Sequence, residues 1–388
     1  MKKLVVLSFL TFLFLQVMAQ ERLMPILERV NVQADTARIS QVVDGEWVCV
    51  GVARDYAISH DNSILYKGKP SYRFELKEDD NTLAGYSKGS TKGRAEMSYC
   101  YAVASDYEGV SSDDYQKQQI LKTVYHEGKG ICEQGSAYTY RFAVYVPSDL
   151  SSEVTTIFAQ WHGMPSRTLV QAPDGEIKTL TVDEFVALSD TVMFKKNVGH
   201  VKVPVMDKKG NHKRNKDGEL QYKAGDPNGW LVEQGGYPPL AFGFSDGQFY
   251  IKANSDRRWL TDKDDRCNAS PKRHEVLVPV TSEYKASTIA YKMPFEEFPK
   301  DCWVEFTVEI DWTVYGREKE TILKPGRLDV VMQPEKGRSE HIVDNARILI
   351  GRNDDYGYYF KFGIYRVGDS TVPVSYNLAG YSQTKRSF

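Results

Sequence analysis

The chain has 388 residues, of which 41% are hydrophobic and 26% are charged, and its formal net charge is −2 at pH 7. This composition excludes a disordered chain, and this charge excludes a surface that binds polyanions uniformly. The length allows one large β domain with an insertion, or two domains.

The first segment has the features of a secretory signal rather than of a folded element. Lys2 and Lys3 precede an apolar run over 4–15, which is too short to span a bilayer, and a small-residue cleavage site ends at Ala19. We expect cleavage after Ala19 and no lipid anchor, because no cysteine follows directly. The mature chain is expected to be periplasmic or secreted, without membrane insertion.

Most of the mature chain alternates apolar and polar residues with the period of two that is typical of β-strands. The tripeptide Ser245-Asp246-Gly247 separates two such runs and predicts a tight hairpin. Long alternating strands with few helices predict an all-β, antiparallel jelly-roll sandwich. The predicted strands include residues 71–76, 95–103, 138–146, 155–161, 240–244, 248–253, 302–315, 327–332, 347–352 and 358–366.

The β pattern is interrupted between the predicted strands that end near residue 161 and begin at 240. The best helical signal covers 181–194, with Thr181 and Glu184 as a possible capping box. We therefore predict a thumb-like, helix-containing insertion beside the sandwich. The predicted bounds are 1–19 for the signal peptide, 20–165 and 233–388 for the jelly roll, and 166–232 for the insertion.

A basic run lies within this insertion. Residues 195–216 contain eight Lys and Arg side chains and one acid, Asp207, with His200 and His212 added. Such a run attracts sulfate, phosphate or carboxylate polymers, and a solvated loop is the alternative. The segment 207–219 resembles a calcium loop only superficially, because its basic residues and spacing do not fit an EF-hand.

The cysteines do not form a recognisable framework. There are five, an odd number, at wide spacings and without a CxxC pair, so that neither a disulfide framework nor a zinc site is indicated. Cys132 lies among glycines near Lys129, where a thiolate would be favoured. A small buried residue is the more frequent alternative for Cys132.

Three of the predicted strands carry polar residues on one face. In the stretch 358–366 the opposite face is apolar and is expected to pack in the core. A rigid sheet that presents such side chains would provide the fixed geometry that proton transfer needs. The residues that share these faces are Arg94, Glu96 and Ser98; Phe158, Gln160 and His162; and Tyr359, Lys361, Gly363 and Tyr365.

These side chains suit β-elimination on a uronate polymer. The proton at C5, α to the carboxylate, is weakly acidic, and Arg or amide donors on that carboxylate stabilise the enolate-like transition state. A neutral histidine can remove this proton, and a tyrosine hydroxyl can protonate the leaving O4 oxygen. For His162 or Tyr365 taken alone, a place in the core is the alternative.

The segments "RAEMS", "QWH" and "YFKFGIY" resemble the signature strands of the jelly-roll alginate lyases. A closer resemblance, over nearly the whole mature chain, is to the heparin lyase I family of Bacteroidota, and it includes "TIFAQWHGMPSRTLV" and "YIKANSDRRWLTDKDDRCNA". This resemblance implies cleavage of heparin or heparan sulfate at 2-O-sulfated uronate residues. The implied product is a 4,5-unsaturated uronate oligosaccharide.

The resemblance also implies roles for individual residues. His162 would be the base and Tyr365 the acid, while Gln160 and Arg94 would neutralise the substrate carboxylate. His162 is preferred as the base to His200, because a strand supports His162 whereas His200 lies in the insertion. The implied substrate contacts are Gln33, Lys88, Lys92, Cys132, His200 and Lys361.

Calcium is a further implication of the resemblance, and calcium takes hard oxygen ligands, including backbone carbonyls. The sequence departs from the family at Tyr356, where an acid is usual, and this leaves Asn353, Asp354 and Asp355 at the turn. The implied calcium ligands are Glu233, the carbonyl of Trp259, Asn353 and Asp354.

Three alternatives stay open from the sequence. The first is a lyase for another uronate polymer such as alginate, and the second is a non-catalytic glycosaminoglycan-binding module on the same fold. The third is a glycoside hydrolase, which requires two carboxylates about 5–9.5 Å apart. Glu96 is the only obvious carboxyl for such a site, and its neighbour Arg94 is expected to pair with it structurally. The basic run lacks a nucleic-acid recognition motif, so no nucleic-acid partner is expected, and we expect a monomer.

Overall fold

The structure is a computed structural model of the chain. Among the residues that it describes, no helix has the length and apolar character needed to cross a membrane. The described residues are 48–51, 54–81, 93–98, 131–163, 168–189, 201–205, 207–209, 211, 213–216, 218, 221–225, 230–233, 237–260, 279–281, 285–317, 321–354, 357–366 and 370–387.

The described chain is almost entirely β-strand, with one helix, α1, at Val182–Ser189 and a short 3₁₀ turn at Phe295–Glu297. The strands are β1 Val48–Gly51, β2 Ile58–Tyr66, β3 Lys69–Leu76, β4 Arg94–Ser98, β5 Ile131–Cys132, β6 Ala137–Tyr145, β7 Thr156–Gly163, β8 Leu169–Gln171, β9 Ile177–Thr179, β10 Val201–Pro204, β11 Tyr222–Gly225, β12 Leu231–Val232, β13 Leu240–Ser245, β14 Gln248–Asp256, β15 Pro279–Thr281, β16 Lys285–Pro294, β17 Trp303–Asp311, β18 Val314–Gly316, β19 Thr321–Lys324, β20 Gly326–Pro334, β21 Glu340–Ile348, β22 Gly351–Arg352, β23 Tyr358–Arg366 and β24 Val374–Arg386.

Two large sheets form a jelly-roll sandwich, as predicted. The site sheet has the order β1-β4-β23-β7-β13-β14-β16-β15, with β5 beside β23 and β22 beside β14. The second sheet has the order β2-β3-β24-β6-β17-β20-β21. Among the described strands, all pairs are antiparallel except β14 with β22. Strands that are distant in the chain, such as β4, β23 and β7, are therefore neighbours in the site sheet.

The core lies between the two sheets and is rich in aromatic rings. Phe142 of β6, in the second sheet, is 5.5 Å from Phe242 of β13 and 5.5 Å from Phe360 of β23 between ring centroids. Tilted and edge-on contacts at these distances are favourable for aromatic pairs. In β23 the predicted apolar face, from Tyr358 to Ile364, belongs to this core. The site sheet is thus anchored by the face opposite the polar residues.

Phe158 does not share a face with Gln160 and His162, and this prediction is wrong. Phe158 is fully buried in the core, where its ring is 5.4 Å from that of Phe244. The neighbouring strand β13 pairs with residues 157 and 159 of β7 and skips residue 158, which is a β-bulge. A bulge interrupts the alternation of side chains, so the period of two fails at this residue.

Two predicted strands are divided in the structure. The stretch 302–315 contains β17 and β18, separated by a corner at which Trp312 N–H donates to the Ser136 carbonyl. The stretch 347–352 contains the end of β21, in the second sheet, and β22, in the site sheet. Gly351 allows this crossing, because its φ is +121° and a Cβ there would lie 2.6 Å from Tyr358 Oη.

The local predictions at the hairpin and the helix are confirmed. Asp246 and Gly247 both have positive φ, +53° and +66°, as a two-residue hairpin turn with matching twist requires. At the start of α1, Thr181 N–H donates to Glu184 Oε2 at 2.8 Å and Glu184 N–H donates to Thr181 Oγ1 at 3.2 Å. This is the predicted capping box.

The described part of the predicted insertion has small sheets of its own. β8 lies between β12 and β9, and β10 pairs with β11. Val170, Phe185 and Val232 form a small apolar cluster there. The exact bounds of the insertion stay a prediction. The predicted helical residues 190–194 lie outside the described residues.

Candidate active site

Three neighbouring strands of the site sheet bring together polar residues that are distant in the chain. β23 pairs with β4 on one side and with β7 on the other. Directly opposed residues of antiparallel strands present their side chains on the same face. The four predicted catalytic residues are thus gathered on one face. The opposed pairs are Tyr359 with His162, Lys361 with Gln160, Gly363 with Glu96, and Tyr365 with Arg94.

Glu96 is the buried acceptor in the middle of this face, with 1% of its surface exposed. Gln160 Nε2 donates to its Oε1 at 2.5 Å, and Lys361 Nζ donates to its Oε2 at 2.7 Å. Arg94 Nε lies 3.8 Å from the same Oε2. Because both oxygens accept from groups that only donate at these contacts, Glu96 acts as a carboxylate. Glu96 is the one carboxyl among the eight opposed residues named above, so this group lacks the second carboxylate that the hydrolase alternative requires.

His162 lies at the end of β7, partly buried, with its ring 5.5 Å from that of Tyr359. Its Nδ1 is 2.8 Å from the Gly163 carbonyl oxygen. A carbonyl can only accept, so Nδ1 carries the proton and Nε2 of the neutral ring keeps its lone pair. Burial, followed by the positive charge of Lys361, lowers the pKa of His162 to about 3. His162 is thereby prepared to act as a neutral base.

The lowered pKa of His162 predicts a specific pH dependence of stability. The ordinary pKa is 6.5 and the folded value is about 3, so between these pH values the unfolded chain binds a proton that the folded chain does not. His162 therefore lowers the free energy of unfolding as the pH falls from about 6.5 towards 3, and it has no such effect above 6.5. We expect His162→Gln to lose less unfolding free energy than the wild type between pH 7 and pH 4.5 in urea titrations. Parallel losses in the two proteins would contradict the shift.

Tyr365 and Arg94 form a second pair at the other end of this face. The Arg94 guanidinium carbon lies 4.6 Å from the centroid of the Tyr365 ring, a cation–π contact. Tyr365 is partly buried. The cross-strand register and this contact hold the phenol and the guanidinium side by side. A substrate carboxylate bound by Arg94 would thus lie near the phenol.

Gly363 accounts for the gap between the two tyrosines of this face. Its φ is +128°, and a Cβ there would lie 2.2 Å from the Ala95 carbonyl oxygen and 2.7 Å from Glu96 Cα. A side chain at this position would collide with the backbone of β4. The glycine is therefore required by the close approach of two strands beside Glu96.

A buried ionic cluster lies beside the polar face of β4, β23 and β7 described above, which is called the catalytic face below. The Arg352 guanidinium, which is 2% exposed, is 3.2 Å from Glu233 Oε1 and 3.2 Å from Asp354 Oδ1. Desolvation lowers the pKa of Arg352, but the charges of Asp354, Glu233 and Asp256 outweigh this and raise it. Three buried carboxylates thus face one buried guanidinium.

The predicted metal ligands converge on this cluster. Asn353 is fully buried, and its Oδ1 accepts from Gln134 Nε2 at 2.9 Å. Arg317 donates to the backbone carbonyls of Asn353 and Asp354, at 2.9 and 3.1 Å, and lies over the Trp259 ring at 5.8 Å. Glu233, Trp259, Asn353 and Asp354 therefore share one neighbourhood. Their role as calcium ligands stays a prediction.

Gly163 joins the catalytic face to the ionic cluster. Its carbonyl accepts a hydrogen bond from His162 Nδ1–H, and a Cβ on Gly163 would lie 2.1 Å from Asp354 Oδ2. The Asp354 carboxylate therefore occupies the space that a side chain would need. Only glycine permits this contact, so the position of His162 and that of the cluster depend on each other.

Cys132 is a buried core residue, which corrects the expectation that its thiol lies next to substrate. It is 0% exposed, and its Sγ donates to the Tyr358 carbonyl at 3.2 Å. Burial raises the pKa of the thiol to about 12, which is the opposite of an activated thiolate. Cys302 is also a free, buried cysteine.

Of the remaining predicted substrate contacts, the structure describes only Lys361. Lys361 is 7% exposed and is engaged with Glu96, so its contact with substrate stays a prediction. Four other predicted contacts lie outside the described residues, and so do Asp355 and Tyr356. These four are Gln33, Lys88, Lys92 and His200.

A group that could hold a metal ion lies elsewhere, on the second sheet. Ligand atoms of Asp329, His341 and Asp344 lie within 4.8 Å of one another. His341 Nε2 is 3.5 Å from Asp329 Oδ1, and His341 and Asp344 are exposed. This group was not predicted from the sequence, because its residues come from β20 and β21 and are typical of a solvated strand face.

One residue, Arg352, and two contacts of Glu96 were not recognised from the sequence. Arg352 was not singled out, although an arginine directly after an apolar run and before Asn353-Asp354 was a signal. Glu96 was assigned to the correct face and to Arg94, but its contacts with Gln160 and Lys361 depend on strand register. Gln160 and Lys361 lie 64 and 265 residues from Glu96 in the chain.

The fold and this face together define a jelly-roll protein that gathers basic, amide and phenolic side chains on one face of a rigid sheet. The chain belongs to the polysaccharide lyase family, whose sequence model matches residues 33–378. It is 62% identical over 361 residues to heparin lyase I of Pedobacter heparinus, and the match covers 92% of this chain and 92% of that protein.

Solved structures with similar folds include two alginate lyases. The marine alginate lyase from Aplysia kurodai is 10% identical, with a TM-score of 0.39, over 86% of this chain and 88% of that one. An alginate lyase from Chlorella virus is 9% identical, with a TM-score of 0.37, over 91% and 98% of the two chains. The assignment to the family rests on the sequence matches and not on these structures.

Proposed function

We propose that this chain is a heparin lyase that cleaves heparin or heparan sulfate by β-elimination at 2-O-sulfated uronate residues. The observation that carries the proposal is the neutral His162, with its Nε2 lone pair, on the same sheet face as Gln160, Arg94 and Tyr365. The 62% identity to heparin lyase I supports the choice of substrate.

In this mechanism, Arg94 and the Gln160 amide bind the uronate carboxylate and stabilise the negative charge that develops on it. His162 Nε2 removes the C5 proton. The electron pair forms the C4–C5 double bond, and the bond from C4 to the leaving oxygen O4 breaks. Tyr365 gives its phenolic proton to that oxygen. The products are a 4,5-unsaturated uronate end and a free hydroxyl on the other chain.

The described part of the basic run supports a sulfated polymer as the partner. Lys208, Lys209, Lys213 and Arg214 are exposed around β10 and β11, and Asp207 is occupied by backbone N–H groups of Lys209 and Asn211. Exposed cations on one loop region attract sulfates without a fixed geometry. This surface would add affinity to the chemistry of the site sheet.

Ultraviolet absorbance tests the proposed function, because elimination creates a conjugated double bond and hydrolysis does not. Purified protein acting on heparin should give a steady rise in absorbance, and Tyr365→Phe should lower its rate while keeping heparin bound. A rise on alginate and none on heparin would indicate a lyase for another uronate polymer. Heparin binding without a rise on any uronate polymer would indicate a binding module.

We propose Ca²⁺ as the metal of this protein, held by Glu233, Asn353, Asp354 and the Trp259 carbonyl. The donors are carboxylate, amide and carbonyl oxygens, which are the ligands that Ca²⁺ takes. Glu233 and Asp354 are both buried and both contact the Arg352 guanidinium, so oxygen ligands are gathered at one place. Bound Ca²⁺ would supply positive charge that stabilises this cluster.

Calcium should raise the melting temperature of the protein after treatment with EDTA. Binding stabilises the folded state by about 2.7 kcal/mol at a ligand concentration of 100 Kd. Asp354→Asn should remove this calcium-dependent increment, whereas Asp329→Asn, in the group on the second sheet, should retain it. Loss of the increment in Asp329→Asn alone would assign the ion to that second group. Absence of any increment in the wild type would contradict calcium binding.

The location and assembly of the protein are also proposals. The basic start, the apolar run 4–15 and Ala19 support export and removal of residues 1–19, with a periplasmic or secreted product. Mass spectrometry of the mature N-terminus would test the cleavage after Ala19. We propose that the enzyme acts as a monomer, which light scattering would test.

A further inference from the structure

Two hydrogen-bond donors and one ion-pair partner, from three strands in all, surround Glu96, and the mechanism does not use Glu96. Gln160 comes from β7, Lys361 from β23 and Arg94 from Glu96's own strand, β4. Two of these three residues are assigned to the substrate carboxylate. A single buried side chain therefore connects the groups that bind the reacting sugar.

We propose that Glu96 is a positioning residue that fixes the Gln160 amide and the Lys361 ammonium for the substrate, and this rests on the proposed function. A carboxylate can only accept, so the Gln160 amide must turn its NH₂ group towards Glu96. The second N–H of this amide is then oriented by the same bond. Lys361 keeps two further N–H donors after its bond to Glu96.

Burial strengthens these hydrogen bonds and fixes their geometry. Glu96, Gln160 and Lys361 are 1%, 5% and 7% exposed. Water competes poorly for hydrogen bonds in such a site, and long side chains are held in one geometry. Gly363 contributes because the absence of its side chain lets β23 approach the Glu96 backbone. Glu96 is thus buried beside two closely packed strands and can orient the donors that contact it.

The charge of Glu96 allows positioning to be separated from simple attraction. Arg94 and Lys361 bring two positive charges and Glu96 one negative charge. Neutralising Glu96 makes the site more positive, so a polyanion should bind at least as well. The orientation of the donors is lost, however. A positioning role therefore predicts a fall in kcat with an unchanged or lower KM, which loss of folding or of attraction would not produce.

Glu96→Gln tests this, with Glu305→Gln as the matched control. Glu305 forms a surface ion pair with Lys67 at 2.9 Å on the second sheet, remote from the catalytic face. We expect kcat of Glu96→Gln on heparin to fall about 10²-fold, as for a small misplacement of reacting groups, with KM not raised. Glu305→Gln should keep the wild-type kcat. A wild-type kcat in folded Glu96→Gln would overturn the proposal.

Glu96→Asp keeps the charge but shortens the side chain by one methylene, which moves the carboxylate away from Gln160 and Lys361. A positioning role predicts a lowered kcat here as well, whereas a role as a mere counter-charge predicts rescue. This variant also serves if Glu96→Gln does not fold. A wild-type kcat in Glu96→Asp, or failure of both variants to fold, would overturn the proposal, because Glu96 would then act through charge or through folding.

Chemical labelling of Lys361 separates this proposal from the proposed function. Acetylation by acetic anhydride, followed by peptide mass spectrometry, should be faster at Lys361 in Glu96→Gln than in the wild type, because the ammonium loses its partner. If the wild type does not act on heparin, the proposed function fails, and labelling decides the role of Glu96 alone. An unchanged labelling rate at Lys361 in Glu96→Gln would overturn the proposal that Glu96 positions Lys361.

Discussion

Replacement of His162 by alanine should lower kcat on heparin by about 10²–10⁴-fold, the usual contribution of a general base. The imidazole that removes the C5 proton is lost, while the donors around Glu96 that bind the substrate carboxylate stay in place. We therefore expect heparin affinity to change little. Initial rates of ultraviolet absorbance would give kcat, and calorimetric titration of heparin would give affinity.

His341→Ala is the matched control for this experiment. His341 lies on β21 of the second sheet and is exposed, so its removal should leave kcat unchanged. If His162→Ala kept the wild-type kcat with heparin bound, the base would have to be another group. His200 would be the next residue to replace, because it is the other histidine that the family resemblance associates with substrate.

Replacement of Arg352 by methionine should reduce the free energy of unfolding by about 3–5 kcal/mol, the usual cost of breaking a buried ion pair. Glu233 and Asp354 are 1% and 3% exposed, and each has a carboxylate oxygen 3.2 Å from this guanidinium. Without Arg352 these carboxylates would remain buried without their shared countercharge. Denaturation in guanidinium chloride would measure the loss.

Arg73→Met provides the matched control, because Arg73 forms an ion pair with Glu75 at 2.9 Å on a more exposed surface. Such a pair contributes about 0–1 kcal/mol. Adding Glu233→Gln to Arg352→Met should recover part of the loss, since one buried charge is removed with its partner. Equal losses for Arg352→Met and Arg73→Met would mean that the cluster is not a buried ionic unit.

The ionic cluster also has a consequence for catalysis, through the end of β7. The Gly163 carbonyl accepts a hydrogen bond from His162 Nδ1–H, and the Asp354 carboxylate lies where a side chain on Gly163 would be. A shift of Asp354 would therefore disturb the group that sets the tautomer of the base. We therefore expect changes in the ionic cluster to affect both stability and catalysis, because the two clusters meet at Gly163.

Local sequence pattern was sufficient for the polar faces of β4 and β23. In 358–366 the alternation placed Lys361 and Tyr365 opposite the apolar residues, and the structure has them so, because the period of two depends only on extended backbone. The hairpin at Asp246-Gly247 and the capping box at Thr181 are equally local. The motifs on these strands also identified the family.

Only the tertiary structure decided which of these residues meet. Phe158 turned into the core because a bulge in β7, seen in its pairing with β13, interrupted the alternation. Cys132 proved to be buried against Tyr358 of β23, which lies 226 residues away in the chain. Lys361 reaches Glu96 across 265 residues of chain, and Arg352 reaches Glu233 across 119. The sequence by itself determined the faces, the turns and the family, whereas strand order and register, which depend on contacts between distant segments, decided the site.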